Sequence, residues 1–193
     1  MTTLMTTQPQ SPPSDEASLA RQACASVDAF AELYRRHVTR VYRYHIAHTG
    51  DVKDAEDLTS QTFMAALEGI RSFRGDAPFA AWLMGIASRK RALFFRGIKP
   101  QVQLDAALHL PTPGLGTDQA AFLRLQMDSV SRALKRISPE RAEAIILCTF
   151  GGLKYAEAAR VLKKSEAAVK MLVSRGLQDL RTRTSLALEV KND

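Results

Sequence analysis

Beginning at Val27, apolar residues return every three or four positions: Val27, Phe30, Leu33, Tyr34, Val38, Val41, Tyr42 and Ile46. That spacing lines one face of an α-helix and predicts a first long helix. Thr49-Gly50-Asp51 interrupts the period, and the Asp51 carboxylate is suited to accept from the open N–H groups of a second helix. The predicted buried stripe of this helix is Ala55, Leu58, Thr62, Phe63, Ala66, Leu67 and Ile70, with Asp54, Glu56 and Asp57 in its opening turns. After the loop at 71–77, Pro78 suits the first turn of a third helix that turns Phe79, Trp82, Leu83, Ile86 and Leu93 inward. No strand pattern occurs anywhere, so the predicted fold class is all-α.

The period is lost over 98–119, where Pro100, Pro111, Pro113, Gly114 and Gly116 give the composition of a flexible linker. It resumes with Phe122, Leu123, Leu125, Met127, Val130, Leu134 and Ile137. Ser138-Pro139 then reads as a capping serine followed by a proline in a helix's first turn, and that helix runs to Phe150 before Gly151-Gly152. Two further helical segments follow, Tyr155–Leu162 and Glu166–Arg183, across a turn of a few residues. This is the outline of a helix-turn-helix, with Tyr155, Ala159 and Leu162 packing against Val169, Leu172, Val173 and Leu177. The expected organisation is two small helical domains: a disordered extension at 1–24, a domain at 25–97, the linker at 98–119, a domain at 120–185 and a tail at 186–193.

Charge adds a partner class. The formal net charge is +7. Residues 25–97 carry eleven Lys and Arg against eight Asp and Glu, and 120–193 carry fourteen against eight, with the intervening linker close to neutral. Two basic modules on a tether point to a polyanion. Cys24 and Cys148 are far apart and outside any CxxC, which argues against a disulfide framework or thiolate metal site and fits a reducing cytoplasm. Cys148 sits in the apolar run at 145–148 and reads as a buried small hydrophobe. The N-terminus has no basic start or apolar core of a leader, and no run approaches the roughly 20 apolar residues that span a bilayer. A soluble cytoplasmic protein without membrane contact of its own is expected.

Catalytic signals are weak. His45 and His48 have a spacing compatible with two metal ligands, yet no third ligand stands in pattern with them. There is no phosphate loop, dinucleotide fingerprint or nucleophile elbow, so no catalytic residue, metal or cofactor is expected. The binding signals are stronger. With Ser165 capping the last helix, Glu166, Ala167, Ala168, Lys170, Met171, Ser174 and Arg175 are left facing outward. Small residues near a helix N-terminus admit the backbone to a groove, and Lys163, Lys164, Lys170, Arg175, Arg181 and Arg183 supply cations for phosphates. At the end of the first domain, Arg89, Lys90, Arg91 and Arg96 alternate with Phe94 and Phe95, a combination suited to single-stranded nucleic acid.

The second domain resembles region 4 of sigma factors through Ser138-Pro139, Phe150-Gly-Gly-Leu153, Tyr155-Ala-Glu-Ala-Ala159 and Ser165. The first resembles region 2 through Phe30-Ala-Glu-Leu-Tyr-Arg-Arg36, Asp54-Ala-Glu-Asp-Leu-Thr-Ser-Gln-Thr-Phe63 and Phe73-Arg-Gly-Asp-Ala-Pro-Phe-Ala-Ala-Trp-Leu83. Together the likeness spans 25–185 and is to the extracytoplasmic-function (ECF) type of the sigma-70 family. It implies docking on core RNA polymerase through Asp54, Glu56, Asp57, Leu58, Gln61 and Phe63. It implies capture of the melted −10 promoter element by Phe73, Arg74, Asp76, Phe79, Arg89, Lys90, Arg91 and Arg96. It implies reading of the −35 element by Lys163, Lys164, Ser165, Glu166, Ala167, Ala168, Lys170, Met171, Ser174 and Arg175. Sequestration by an anti-sigma factor is implied by the family alone.

Two departures stand out. Lys163-Lys164 replaces the usual glycine and apolar residue before the capping serine, and Arg89 stands where the family commonly has asparagine. A glycine in such a turn serves a left-handed backbone, so Lys163 implies either strain or another turn geometry. The competing reading is a free-standing helix-turn-helix regulator, for which neither an acidic docking helix nor a single-strand surface is needed.

Overall fold

A computed structural model of the protein describes residues 13–97 and 127–189. The linker at 98–119, Phe122, Leu123 and Leu125, the first twelve residues of the extension and the last four of the tail lie outside them. Among the described residues every regular element is helical: α1 (Pro13–Gln22), α2 (Val27–Thr49), α3 (Val52–Gly69), a 3₁₀ turn (Ile70–Ser72), α4 (Phe79–Phe95), α5 (127–134), α6 (Pro139–Thr149), α7 (Tyr155–Leu162) and α8 (Glu166–Glu189). The fold class is all-α, in two units.

Local chemistry sets the boundaries. Ser26 Oγ accepts from Ala29 N at 3.3 Å and opens α2, while Gly50 closes it at φ 73° with its N–H donating to Ile46 O. Asp51 Oδ1 then accepts from Asp54 N at 2.9 Å and starts α3. Pro78 has extended backbone and precedes α4, one position earlier than expected. Ser138 Oγ caps α6 through Arg141 N with Pro139 in the first turn, and Ser165 Oγ caps α8 through Ala168 N at 3.2 Å.

Helix α1 overturns part of the expected disorder at 1–24. Its composition is polar, but Ala20 and Ala23 are buried against α2 and α4, and Glu16 Oε1 lies 2.7 Å from His37 Nε2. Ten residues make a marginal helix in isolation, so tertiary packing supplies most of its stability.

One continuous core gathers Leu33, Val41 and Tyr44 from α2, Phe63 from α3, and Phe79, Leu83 and Met84 from α4, and runs on into Leu134, Ile145, Ile146, Leu147, Val169 and Val173 of the second unit. Each such large side chain contributes on the order of 2 kcal/mol of transfer free energy when removed from water. Gly176 allows the close crossing of α6 and α8, since a Cβ there would lie 2.7 Å from Ile145 Cδ1. Four positions expected in the packed faces point out instead: Val27 is 83% exposed, Leu67 45%, Tyr155 39% and Leu177 40%. Helical spacing defines a face but not how much of it the neighbours cover.

The two units pack directly on one another. Ser131 Oγ donates to His48 O at 3.4 Å and Lys135 Nζ to Thr49 O at 3.1 Å, seating α5 on the corner between α2 and α3. A Cβ at Gly50 would lie only 3.0 Å from Ser131 Oγ. Elsewhere α4 lies against α7, and Arg160 Nη1 donates to the carbonyl of Asp76 at 2.5 Å.

Candidate nucleic-acid interface

The second unit presents its candidate residues to solvent. Along α8 and its preceding turn, Lys163, Lys164, Ser165, Glu166, Ala167, Lys170, Met171, Ser174 and Arg175 are exposed and Ala168 is half-buried. Val169 and Val173 fasten the opposite face to the core. The Ser165 cap leaves the first turn of α8 at the rim of the unit, and the helix dipole puts partial positive charge there.

Lys163 adopts φ 53°, ψ 44°, so the turn keeps the left-handed conformation that glycine ordinarily supplies. Its N–H donates to Arg160 O, and Lys164 N donates to Ala159 O. The departure from the family pattern is therefore carried as backbone strain on the order of 1 kcal/mol, and the turn geometry is retained. Lys164 pairs with Glu140 at 3.1 Å and Lys170 with Glu166 at 2.9 Å, the latter ammonium lying 5.9 Å above the Tyr155 ring. Exposed pairs of this kind are weak, so both lysines remain exchangeable toward a phosphate.

The first unit is different. On α3, Glu56 and Asp57 are exposed and Asp54 and Gln61 are half-buried, a polar face beside the start of the helix. Leu58 and Phe63 do not join it. Leu58 is 1% exposed, and Phe63 packs edge-on to Tyr34 with centroids 4.6 Å apart, so these two docking expectations are corrected to core roles.

At the loop before α4, Phe73, Phe79 and Trp82 form a ring cluster with centroid separations of 5.4–5.6 Å. Phe79 is its buried floor and cannot meet a base, a correction to its expected place in the −10 set. Phe73 and Trp82 are half-buried above it, while Arg74 and Asp76 are exposed around Gly75, whose φ is 80°. Further along α4, Arg89 is exposed, Lys90 is half-buried and Arg96 is exposed beside Phe94 and Phe95. Those two phenylalanines, which the sequence sets beside the cations, are 37% and 52% exposed with ring centroids 5.2 Å apart.

Arg91 turns away from that surface. Its Nη2 lies 3.3 Å from Glu143 Oε2, a carboxylate carried across from α6. Tyr44 Oη and Ser88 Oγ donate to Glu143 Oε1 at 2.6 and 3.1 Å, and His48 Nε2 approaches Oε2 at 3.1 Å. Burial raises the Glu143 pKa, but the contacts from His48, Arg91 and Tyr44 outweigh it and bring the carboxyl down to about 2. The same burial pushes the Tyr44 phenol well above its ordinary value, and the adjacent carboxylate adds to that. Burial lowers the His48 pKa, against the raising influence of the Glu143 carboxylate.

His45 is spent locally: its Nε2 lies 3.0 Å from Thr62 Oγ1, whose own hydroxyl donates to Leu58 O. Burial brings its pKa to about 3. Cys148 is half-buried, and burial takes its thiol up to about 11. Among the described residues no helix is long and apolar enough to cross a membrane.

Comparison with known proteins agrees with this division. Residues 33–97 match the family described as Sigma-70 region 2, and residues 127–180 match Sigma-70, region 4. The ECF RNA polymerase sigma factor BldN of Streptomyces coelicolor is 32% identical over 163 residues, 83% of this chain. The chain spans 62% of the length of BldN, less than two thirds of that relative. The RNA polymerase sigma factor NccH of Alcaligenes xylosoxydans xylosoxydans is 29% identical over 172 residues, covering 85% of this chain and 91% of NccH. The structure of CnrH in complex with the cytosolic domain of CnrY aligns with a TM-score of 0.68 at 26% identity, over 89% of this chain and 97% of CnrH. With both regions matched in order and carried on the expected helices, the chain belongs to the ECF group of the sigma-70 family.

Proposed function

We propose that this chain is a promoter-specificity subunit of RNA polymerase, acting by position and not by catalysis. The observation that carries the reading is the presence on one chain of two unlike DNA-facing surfaces. One is the exposed, capped start of α8, and the other the aromatic and cationic end of α4. A rigid helix with small outward residues suits the major groove of a duplex. Rings beside cations suit unpaired bases and their phosphates.

In this reading Asp54, Glu56, Asp57 and Gln61 dock the chain on core polymerase. The ladder from Lys163 to Arg175 reads the −35 element. Phe73, Arg74, Asp76, Arg89, Lys90 and Arg96 hold the melted −10 strand, with Phe94 and Phe95 added to that surface and Arg91 joining it only on release from Glu143. Sequestration by an anti-sigma protein fits the same surfaces, as CnrH is held by the cytosolic domain of CnrY. The test is transcription with purified core polymerase on a genomic fragment library, with start sites mapped. Specific initiation that depends on the chain supports the reading. Tight specific duplex binding by the chain alone, without start-site selection on core, overturns it in favour of a free-standing regulator.

A further inference from the structure

Glu143 is the only acidic side chain among the buried described residues, and it sits in an otherwise apolar stretch of α6 between Ala142 and Ala144. All four groups around its carboxylate come from the first unit: Tyr44 and His48 on α2, Ser88 and Arg91 on α4. A guanidinium, two hydroxyls and an imidazole converging on two oxygens form a donor set that serves a phosphate as well as a carboxylate. Tyr44 is fully buried in the closed arrangement, and its phenol has the Glu143 carboxylate as acceptor. Glu143 is carried on α6, so a separation of the two units would withdraw that acceptor from all four groups. A guanidinium with hydroxyls beside it can take a phosphate oxygen where it had taken a carboxylate oxygen.

We propose that Tyr44, His48, Ser88 and Arg91 form a binding site for a backbone phosphate of single-stranded nucleic acid, and that Glu143 occupies it in the closed arrangement as an internal competitor. The inference rests on the reading of α4 as a strand-holding element. It adds a device to that reading: the carboxylate and the phosphate exclude one another, so strand capture and packing of the two units compete. The contact of Arg160 with the Asp76 carbonyl acts in the same direction, because it closes the second unit over the loop that carries Arg74.

Binding of a short fluorescein-labelled single-stranded DNA to the full chain, without polymerase, tests this. Glu143→Gln keeps the size of the side chain and removes its charge, and it is expected to bind the strand about tenfold more tightly than the parent. Adding Arg91→Ala to that variant is expected to return the affinity to the parent level or below. Sedimentation of the parent supplies a second readout that needs no variant: saturating strand should expand the chain. An affinity unchanged by Glu143→Gln, a gain that survives Arg91→Ala, or a parent that stays compact with the strand bound would each overturn the proposal. If Glu143→Gln does not fold, the sedimentation result on the parent decides. Initiation by the parent on core polymerase is scored separately. Initiation without the affinity gain removes the phosphate site alone, whereas the gain without initiation removes the sigma-factor reading and leaves the site standing.

Discussion

The two units hold their candidate DNA-facing residues in opposite ways. In the second, the ladder on α8 stands in solvent, anchored from behind by Val169 and Val173 and modified only by weak surface pairs. In the first, Phe79 has become core, Phe73 and Trp82 are half-covered, and Arg91 is engaged by a carboxylate from the other unit. Duplex DNA offers its groove without being opened, so a preformed surface can read it. An unpaired strand exists only after melting, and a surface that is partly closed beforehand binds little until then. Readiness in one half and restraint in the other match the order in which the two targets become available.

Acid should produce the largest effect, acting through buried groups where the two units meet. His45 is held at about 3 in the folded chain against an ordinary value of 6.5, and it faces Thr62, His48, Arg91 and Glu143. The unfolded chain therefore binds the extra proton first. Stability from this group is fully present above pH 6.5 and is lost at about 1.4 kcal/mol per pH unit as pH falls toward 3. Glu143, lowered from 4.5 to about 2, adds a second loss below pH 4.5. Thermal melts across this range should show a falling midpoint, and His45→Gln should flatten the upper part of the fall while leaving the share contributed by His48. An unchanged acid slope in that variant would disconnect the buried histidine from the effect.

Charge reversal on the ready half comes next. Lys170→Glu with Arg175→Glu is expected to weaken −35 duplex recognition about a hundredfold by replacing phosphate attraction with repulsion. Both side chains are exposed, so the melting midpoint should hold within about 0.5 kcal/mol of stability. Promoter-dependent initiation and a melt measured together would separate recognition from folding. A smaller effect, about tenfold on association with core polymerase, is expected for Asp54→Lys with Asp57→Lys, measured by competition against a labelled parent chain. If the double variant competes as well as the parent, docking does not use the start of α3.

The smallest effect concerns the turn. Lys163→Gly relieves a left-handed lysine but frees the unfolded backbone, and the net gain should be a few tenths of a kcal/mol in denaturant unfolding. A loss of more than about 1 kcal/mol would show that the lysine side chain, not its backbone, holds the turn.

Much of the scaffold could be read from neighbouring residues. Ser26, Asp51, Ser138 and Ser165 mark helix starts because a short oxygen-bearing side chain reaches N–H groups only three residues on. The Tyr155–Leu162 and Glu166 boundaries follow for the same local reason. What escaped depends on distant partners. Helix α1 has the composition of a loose extension and is ordered by Ala20, Ala23 and the Glu16–His37 contact. Helical spacing alone turns Leu58, Phe63 and Phe79 inward and they are buried there; it is the family resemblance that set them among partner-facing residues. Glu143 gave one hint, a charge in an apolar run, and nothing within α6 could reveal that its companions lie 52 to 99 positions away.

The bare backbone at Gly50 acts as a hinge stop whose thickness is zero. Any side chain grafted there would wedge against Ser131 without touching a surface assigned to DNA or polymerase. Its left-handed φ makes asparagine the gentlest first step and bulkier residues progressively harsher ones. A graded series at this single corner would serve as a mechanical dial on how far the halves stand apart, with the chemistry of both left intact.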